Sequence, residues 1–218
     1  MSKKQFVTIK DAEKISGVHY TLNHSGKMSG MQSLSTSCLC NPYCQARRNN
    51  PELVCSHCYA HRFARMYSSL SKRLEGNTEI LTNRILKEYE IPTINSLYFR
   101  FEAFGDLINK KQVINYFNIC LHNKKVKFGL WTKNPQIIEQ VLRSGWKKPN
   151  NLQIILSSPK INEPVECKYD FVDKIFTVYD KKYIKKHNIE INCGGEQCLT
   201  CGKCYCKSKV KNINEMLK

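Results

Sequence analysis

The sequence predicts an α/β protein built on a parallel sheet. Short apolar or alternating runs near residues 34, 97, 127, 152, 174 and 189 read as strands, and most are separated by stretches with helical spacing. The residues able to do chemistry fall directly after those strands. Strands alternating with helices pair in parallel through right-handed crossovers, and such sheets gather function at the carboxyl ends of their strands.

Ser33–Thr36 is the first strand candidate, and a cysteine-bearing loop follows it. From Tyr59 the apolar residues Tyr59, Phe63, Met66, Tyr67, Leu70 and Leu74 recur at helical spacing. Arg62, Arg65, Lys72 and Arg73 lie mostly off that stripe as a basic outer face. A second helix is expected from Glu79 to Tyr89, stopping before Pro92. In Leu97–Glu102, Leu97, Phe99 and Phe101 alternate with polar or mixed residues, the period of a strand. The next helix carries Val113, Phe117, Cys120 and Leu121 on one face, with Cys120 a small core residue. Val126–Trp131 is a strand, and Asn134 then caps a helix whose first residue is Pro135. Ile138, Val141 and Leu142 face inward, and Gly145 ends that helix. Leu152–Leu156 and Lys174–Val178 are further strands. A short basic helix follows Asp180, and Ile189–Ile191 is the last strand, delivering Cys193.

Composition narrows the function. The chain has 218 residues and is 41% hydrophobic, enough for a buried core, while 24% charged residues argue against wholesale disorder. No apolar run approaches the ~20 residues of a membrane span. Met1–Gln5 is not followed by an apolar stretch, so no secretory signal is expected and the location is expected to be the cytoplasm of a bacterial host cell. Lys and Arg number 35 against 18 Asp and Glu, a net charge of +17. That excess favours a polyanionic partner, with nucleic acid the first candidate; the plainer reading is a Lys-, Asn- and Ile-rich composition of low-GC coding.

Ten of the 12 cysteines form two groups of five, and Cys120 and Cys167 stand apart. In a reducing compartment they are expected as metal or cluster ligands rather than disulfides. The C-terminal group runs Cys193-x4-Cys198-x2-Cys201-x2-Cys204, with Gly194, Gly195 and Gly202 allowing tight turns. The N-terminal group runs Cys40-x3-Cys44-x10-Cys55-x2-Cys58, with Cys38 spare and His57 nearby. Both suit an iron-sulfur cluster, with zinc the alternative. Two four-thiolate centres, each of net charge about −2, would still leave the chain near +13. Cys167 receives no role.

Cys55-Ser-His-Cys58-Tyr59-Ala60, Phe99-Arg-Phe-Glu102-Ala-Phe-Gly105-Asp106-Leu107, Leu130-Trp-Thr-Lys133-Asn134 and the Cys193–Tyr205 segment together resemble the phage and mobile-element gene product 88-like family. The resemblance runs from about residue 20 to the end. It implies a phage, prophage or plasmid origin and no defined chemistry. A more distant similarity, to radical SAM enzymes, implies a partial (βα)6 barrel with a cluster at the C-terminal face of the sheet. In that comparison residues 1–192 are the barrel, carrying the cysteine loop 38–58, and 193–218 are a cysteine-rich tail like an auxiliary-cluster segment. The similarity also implies S-adenosylmethionine bound by Glu102, Gly105, Asp106, Asn134 and Ser157, with Glu102, Asp106 and Lys133 as candidate catalytic residues. The ten residues between Cys44 and Cys55 break the CxxxCxxC motif of those enzymes.

Two functions remain open on the sequence. One is an iron-sulfur enzyme acting on a nucleic acid or another anionic substrate. The other is a basic nucleic-acid-binding or host-modulating protein, with a host protein as partner, whose cysteine sites are only structural. Its basic end comprises Lys181, Lys182, Lys185, Lys186, Lys203, Lys207, Lys209 and Lys211.

Overall fold

The computed structural model describes residues 7–217, so the segment on which the secretory-signal expectation rests, Met1–Gln5, lies outside the described residues. Six strands pair in one sheet: β1 (Gln32–Leu34), β2 (Tyr98–Phe101), β3 (Lys127–Thr132), β4 (Leu152–Ser157), β5 (Lys174–Tyr179) and β6 (Asn212–Met216). The helices are α1 (Ile9–Ser16), α2 (Pro42–Arg48), α3 (Tyr59–Met66), α4 (Ser68–Asn83), α5 (Lys110–His122), α6 (Gln136–Arg143), α7 (Lys181–His187) and α8 (Cys198–Cys201).

Every pairing is parallel, and spatial order equals sequence order, β1 to β6. This is the single-wound arrangement of a partial barrel, and it is not closed. Right-handed crossovers that always step in one direction put their helices on one side of the sheet. On that side Phe99, Phe101, Phe128, Leu130, Leu152 and Ile154 pack against α5 and α6. The Phe101 ring stacks 4.3 Å from Tyr116 and 5.3 Å from Phe128. Burying side chains of this size stabilises the fold by about 1.5–3 kcal/mol each. The opposite side presents Tyr98, Trp131 and Ile155, covered by Met31 and by Tyr205 from the cysteine-rich segment.

Both sheet margins are occupied. Thr21 and Ser33 exchange two backbone hydrogen bonds of 2.9 Å at β1. At β6, Asn192 and Cys193 donate their backbone N–H groups to Asn214 O, and Asn214 N donates to Asn192 Oδ1. The asparagines have structural work elsewhere too. Asn115 donates to Leu81 O and Arg84 O and accepts from Leu86 N. Asn151 donates to the carbonyls of Cys120, Asn123 and Val126. Among the described residues no helix is long and apolar enough to cross a membrane.

Four expectations are corrected. Ile189–Ile191 is not a strand: α7 ends at Asn188 in a left-handed turn (φ 50°), and the chain then runs along the outside of β6, which already pairs with β5. The helix expected over 79–89 is instead α4, ending at Asn83, where Arg84 turns away to pair with Glu90 at 2.7 Å. The inward face of α3 is Ala60, His61 and Ala64, while Tyr59, Met66 and Tyr67 are exposed. Small residues let α3 lie close over the buried Cys38. Finally, Pro135 caps α6, one residue later than the spacing suggests.

Candidate metal-binding sites

The N-terminal cysteine loop crowns the C-terminal ends of the central strands. Asn41 caps α2 with its side-chain oxygen and donates through Nδ2 to Asp106 O at 2.9 Å. The Tyr43 hydroxyl donates to Lys133 O, and the Tyr59 hydroxyl to Ala103 O. Val54 N donates to Pro159 O at 2.8 Å. These bonds tie the loop to the segments after β2, β3 and β4.

Inside the loop the structure gathers Cys38, Cys44, Cys55 and Cys58. Cys38 feels the charges of Cys58 and Glu102, and Cys44 those of Asp106, Cys38 and Cys55. Cys55 in turn senses Lys133 and Cys58. Burial pushes the Cys38 thiol up to about 12, and raises Cys44 and Cys55. Cys40 is exposed and stands outside this set, while Cys38 is buried against Cys44, Cys58, Ala60 and Phe104. The spacing of the sequence contains no signal for which of two thiols two residues apart turns inward.

The C-terminal group lies across the open face of the sheet. Tyr205 is the anchor: it stacks on Tyr98 at 5.0 Å and meets Trp131 edge-on at 5.6 Å. Gly129 in the middle of β3 makes room for it, since a Cβ there would meet Trp131 at 2.8 Å and Tyr205 at 3.0 Å. Gly202 takes φ 59° to end α8 against Tyr98. Cys193, Cys198, Cys201 and Cys204 interact electrostatically with one another. Lys27 Nζ donates to Cys193 Sγ at 3.2 Å and also binds Glu215. Cys206 stands apart, 3.6 Å from the Tyr98 hydroxyl.

The two groups therefore do not share one rim, as expected from the strand ends. One sits at the C-terminal edge. The other is drawn onto the sheet face by Tyr205, from Glu215 in β6 to Lys127 in β3. Among the described residues no set of three or more His, Cys, Asp or Glu side chains is drawn together closely enough to hold a metal ion.

Arg100 is the residue that sequence reasoning passed over, because a strand arginine reads as solvent-facing. Its guanidinium lies 4.1 Å from the Trp131 ring centre and donates to Met28 Sδ at 3.3 Å. Its Nε is sealed from solvent without a hydrogen-bond partner. Among the described residues no carboxylate pairs with it, and its ionisable neighbours are Tyr59, Tyr205, Cys198 and Cys204.

The model of the gene product 88 family matches residues 2–215. The chain belongs to that family. No curated protein and no solved structure matches it, and the distant similarity to radical SAM enzymes finds no support in these comparisons.

The acidic residues of this gene product 88 protein are turned inward. Glu102 adopts φ 56° and is buried; its Oε1 accepts from Thr36 Oγ1 at 3.0 Å, Gln112 Nε2 at 2.7 Å and the Tyr116 hydroxyl, and its Oε2 from Thr36 N at 3.2 Å. Asp106 accepts from the Thr132 hydroxyl, Leu107 N and Lys133 N. Lys133 lies beside Asp106 and within the field of Cys44, Cys55 and Cys58. Asn134 donates to Leu107 O at 3.2 Å, Ser157 is buried at the end of β4, and Gly105 packs against Glu102 and Thr36.

Burial pushes the Glu102 carboxyl from its ordinary 4.5 up to about 7, against the pull of the Tyr116 and Thr36 hydrogen bonds. The folded chain thus keeps a proton that the unfolded chain releases near 4.5. This contribution is fully present below 4.5 and is lost as pH rises to about 7, a change of roughly 3 kcal/mol. His24 works in the other direction: burial, then Arg100, lowers it to about 4, so its contribution is lost as pH falls from 6.5 toward 4. The test is therefore a difference. The stability advantage of wild type over Glu102→Gln, from urea melts, should shrink by roughly 3 kcal/mol between pH 4.5 and pH 8. Parallel curves would show that Glu102 carries no such proton.

Proposed function

We propose that this protein is an iron-sulfur protein with two four-thiolate centres. One is held by Cys193, Cys198, Cys201 and Cys204 on the open sheet face, the other by Cys38, Cys44, Cys55 and Cys58 at the C-terminal edge. The observation that carries this reading is Arg100, a half-buried cation whose Nε is sealed without a partner, which no carboxylate pairs among the described residues and which lies in the electrostatic field of Cys198 and Cys204. A buried unpaired charge is costly, and neutral thiols do not offset it. A four-thiolate iron-sulfur or zinc centre, of net charge about −2, does.

The donor types and their order suit such a group, and holding it would require the thiols to draw closer than they stand here. The spacing Cys193-x4-Cys198-x2-Cys201 is one found around iron-sulfur clusters. Lys27, in contact with Cys193, adds a second cation. At the other centre Lys133 stands to Cys44, Cys55 and Cys58 much as Arg100 stands to its thiols, with Asp106 sharing its charge. A bound cluster would supply one-electron transfer. Tyr205 and Leu199 would keep water from the first centre, and Arg100 and Lys27 would favour its anionic state. S-adenosylmethionine forms no part of the proposal: Glu102 and Asp106 are buried, and four and three donors of the protein itself already engage their carboxylates.

Purified without oxygen, the protein should absorb broadly near ~400 nm and carry several irons and sulfides per chain. Cys204→Ser should lose the iron of one centre, whereas Cys40→Ser should keep both. A colourless protein with zinc at both centres would overturn the iron reading, and a metal-free one the whole proposal.

A further inference from the structure

Beside the N-terminal thiols the surface opens into a cleft of about 370 Å³, with Arg48, His61, Arg62 and Arg65 on its walls and Cys55 and Cys58 at its floor. Arg48 comes from the end of α2, and His61, Arg62 and Arg65 from α3. Among the described residues none of the three arginines has a carboxylate partner. Burial, then the charges of Arg48 and Arg65, hold the His61 imidazolium below its usual range, as expected where cations converge without an anion.

The adjoining face of α3 is aromatic. Tyr59 and Phe63 lie one turn apart on α3, and Tyr67 is the extended residue that follows the end of the helix. Phe63 and Tyr67 stack at 6.0 Å with their planes 16° apart, and Arg62 lies 5.3 Å from the Phe63 ring centre. Tyr59 and Tyr67 are 46% and 51% exposed, where a core helix would bury them. Unpaired cations alongside two exposed tyrosines and the half-buried Phe63 match one kind of partner. Its backbone is regularly anionic, and its flat bases are free to stack. A duplex satisfies the first requirement and keeps its bases from the second.

We propose that α3 and the end of α2 form a binding groove for single-stranded nucleic acid, with Arg48, Arg62 and Arg65 on the phosphates and Phe63 and Tyr67 under the bases. The groove goes beyond the iron-sulfur reading, and its cations stand there whatever the neighbouring thiols hold. The strand would run past Cys55 and Cys58.

The test uses the full-length protein, as purified, titrated into fluorescein-labelled 20-nucleotide single strands of DNA and RNA. The same sequence as a duplex and inorganic polyphosphate serve as competitors. The single strand should bind, and binding should weaken as salt rises. The triple variant Arg48→Ala, Arg62→Ala, Arg65→Ala should lower the slope of log K against log salt by about 2, roughly 0.7 for each phosphate no longer neutralised. Tyr67→Ala should weaken binding about fivefold or more without changing that slope. A control with Lys181, Lys182, Lys185 and Lys186 all changed to Gln should bind as wild type. Circular dichroism and metal content unchanged in the variants keep a folding defect apart from a true weakening of the groove. Equal competition by duplex or polyphosphate, or a Tyr67→Ala variant that binds like wild type, would overturn the proposal. So would loss of binding only in the α7 control. Failure of the protein to hold iron would leave this result standing, and the reverse also holds.

Discussion

Gly105→Ala is expected to destabilise the protein by about 2–4 kcal/mol. A Cβ at this position would lie 2.5 Å from Glu102 Oε2, 2.6 Å from Thr36 O and 2.7 Å from Thr36 Oγ1. None of these atoms is the loose end of a flexible side chain. Glu102 is fixed by donors from Thr36, Gln112 and Tyr116, and Thr36 O belongs to the backbone after β1. Relief requires the carboxylate to leave donors that are buried with it, each costing about 1–3 kcal/mol when left without a partner. Urea melts should show the midpoint fall with little change in slope. Gly76→Ala is the matched control: it lies within α4 with nothing inside 4 Å of the added carbon, and should stabilise by up to about 1 kcal/mol. A Gly105→Ala protein as stable as wild type would mean the network around Glu102 is loose.

Arg100→Met should change sign with the state of the thiols. In metal-free protein the substitution removes a cation that has no acid and leaves its Nε unbonded, replacing it with a side chain suited to the Trp131 and Met28 surroundings. Stability should rise by about 1–3 kcal/mol. In protein loaded with iron and sulfide the same change removes positive charge beside a dianionic centre. The variant should hold less iron after gel filtration and lose it faster to a chelator. Lower stability in the metal-free state, with unchanged iron retention, would show that Arg100 serves packing alone.

Five of the six strands are legible in the sequence, most clearly where the residues are almost entirely apolar or alternate, as in Leu97–Glu102 and Leu152–Leu156. β6 is not legible. Asn212, Asn214 and Glu215 make it a polar margin with one fully buried side chain, Ile213, while Ile189-Glu-Ile191 shows the better local pattern. Only the partner decides: β5 bonds to Asn212–Met216, and no local propensity records that. The face of α3 is misread for a related reason. Large apolar residues at helical spacing usually point to a core, but here the close approach of Cys38 admits only Ala60 and Ala64. The C-terminal group Cys193, Cys198, Cys201 and Cys204 is legible from spacing. That they lie on the sheet face is not, because it depends on a tyrosine after the last of them and a glycine in a distant strand. The asparagines also read as mere composition, yet Asn115 and Asn151 each bridge several backbone carbonyls of neighbouring turns.

An open sheet ordinarily leaves two rows of backbone groups ready to recruit a neighbouring chain. Here Thr21 takes one margin and Asn192 with Cys193 the other. Growth by adding strands from another molecule therefore has no starting point at these positions. Any self-association would have to run through side chains, and crowded solutions should resist fibre formation for as long as those short margin contacts hold.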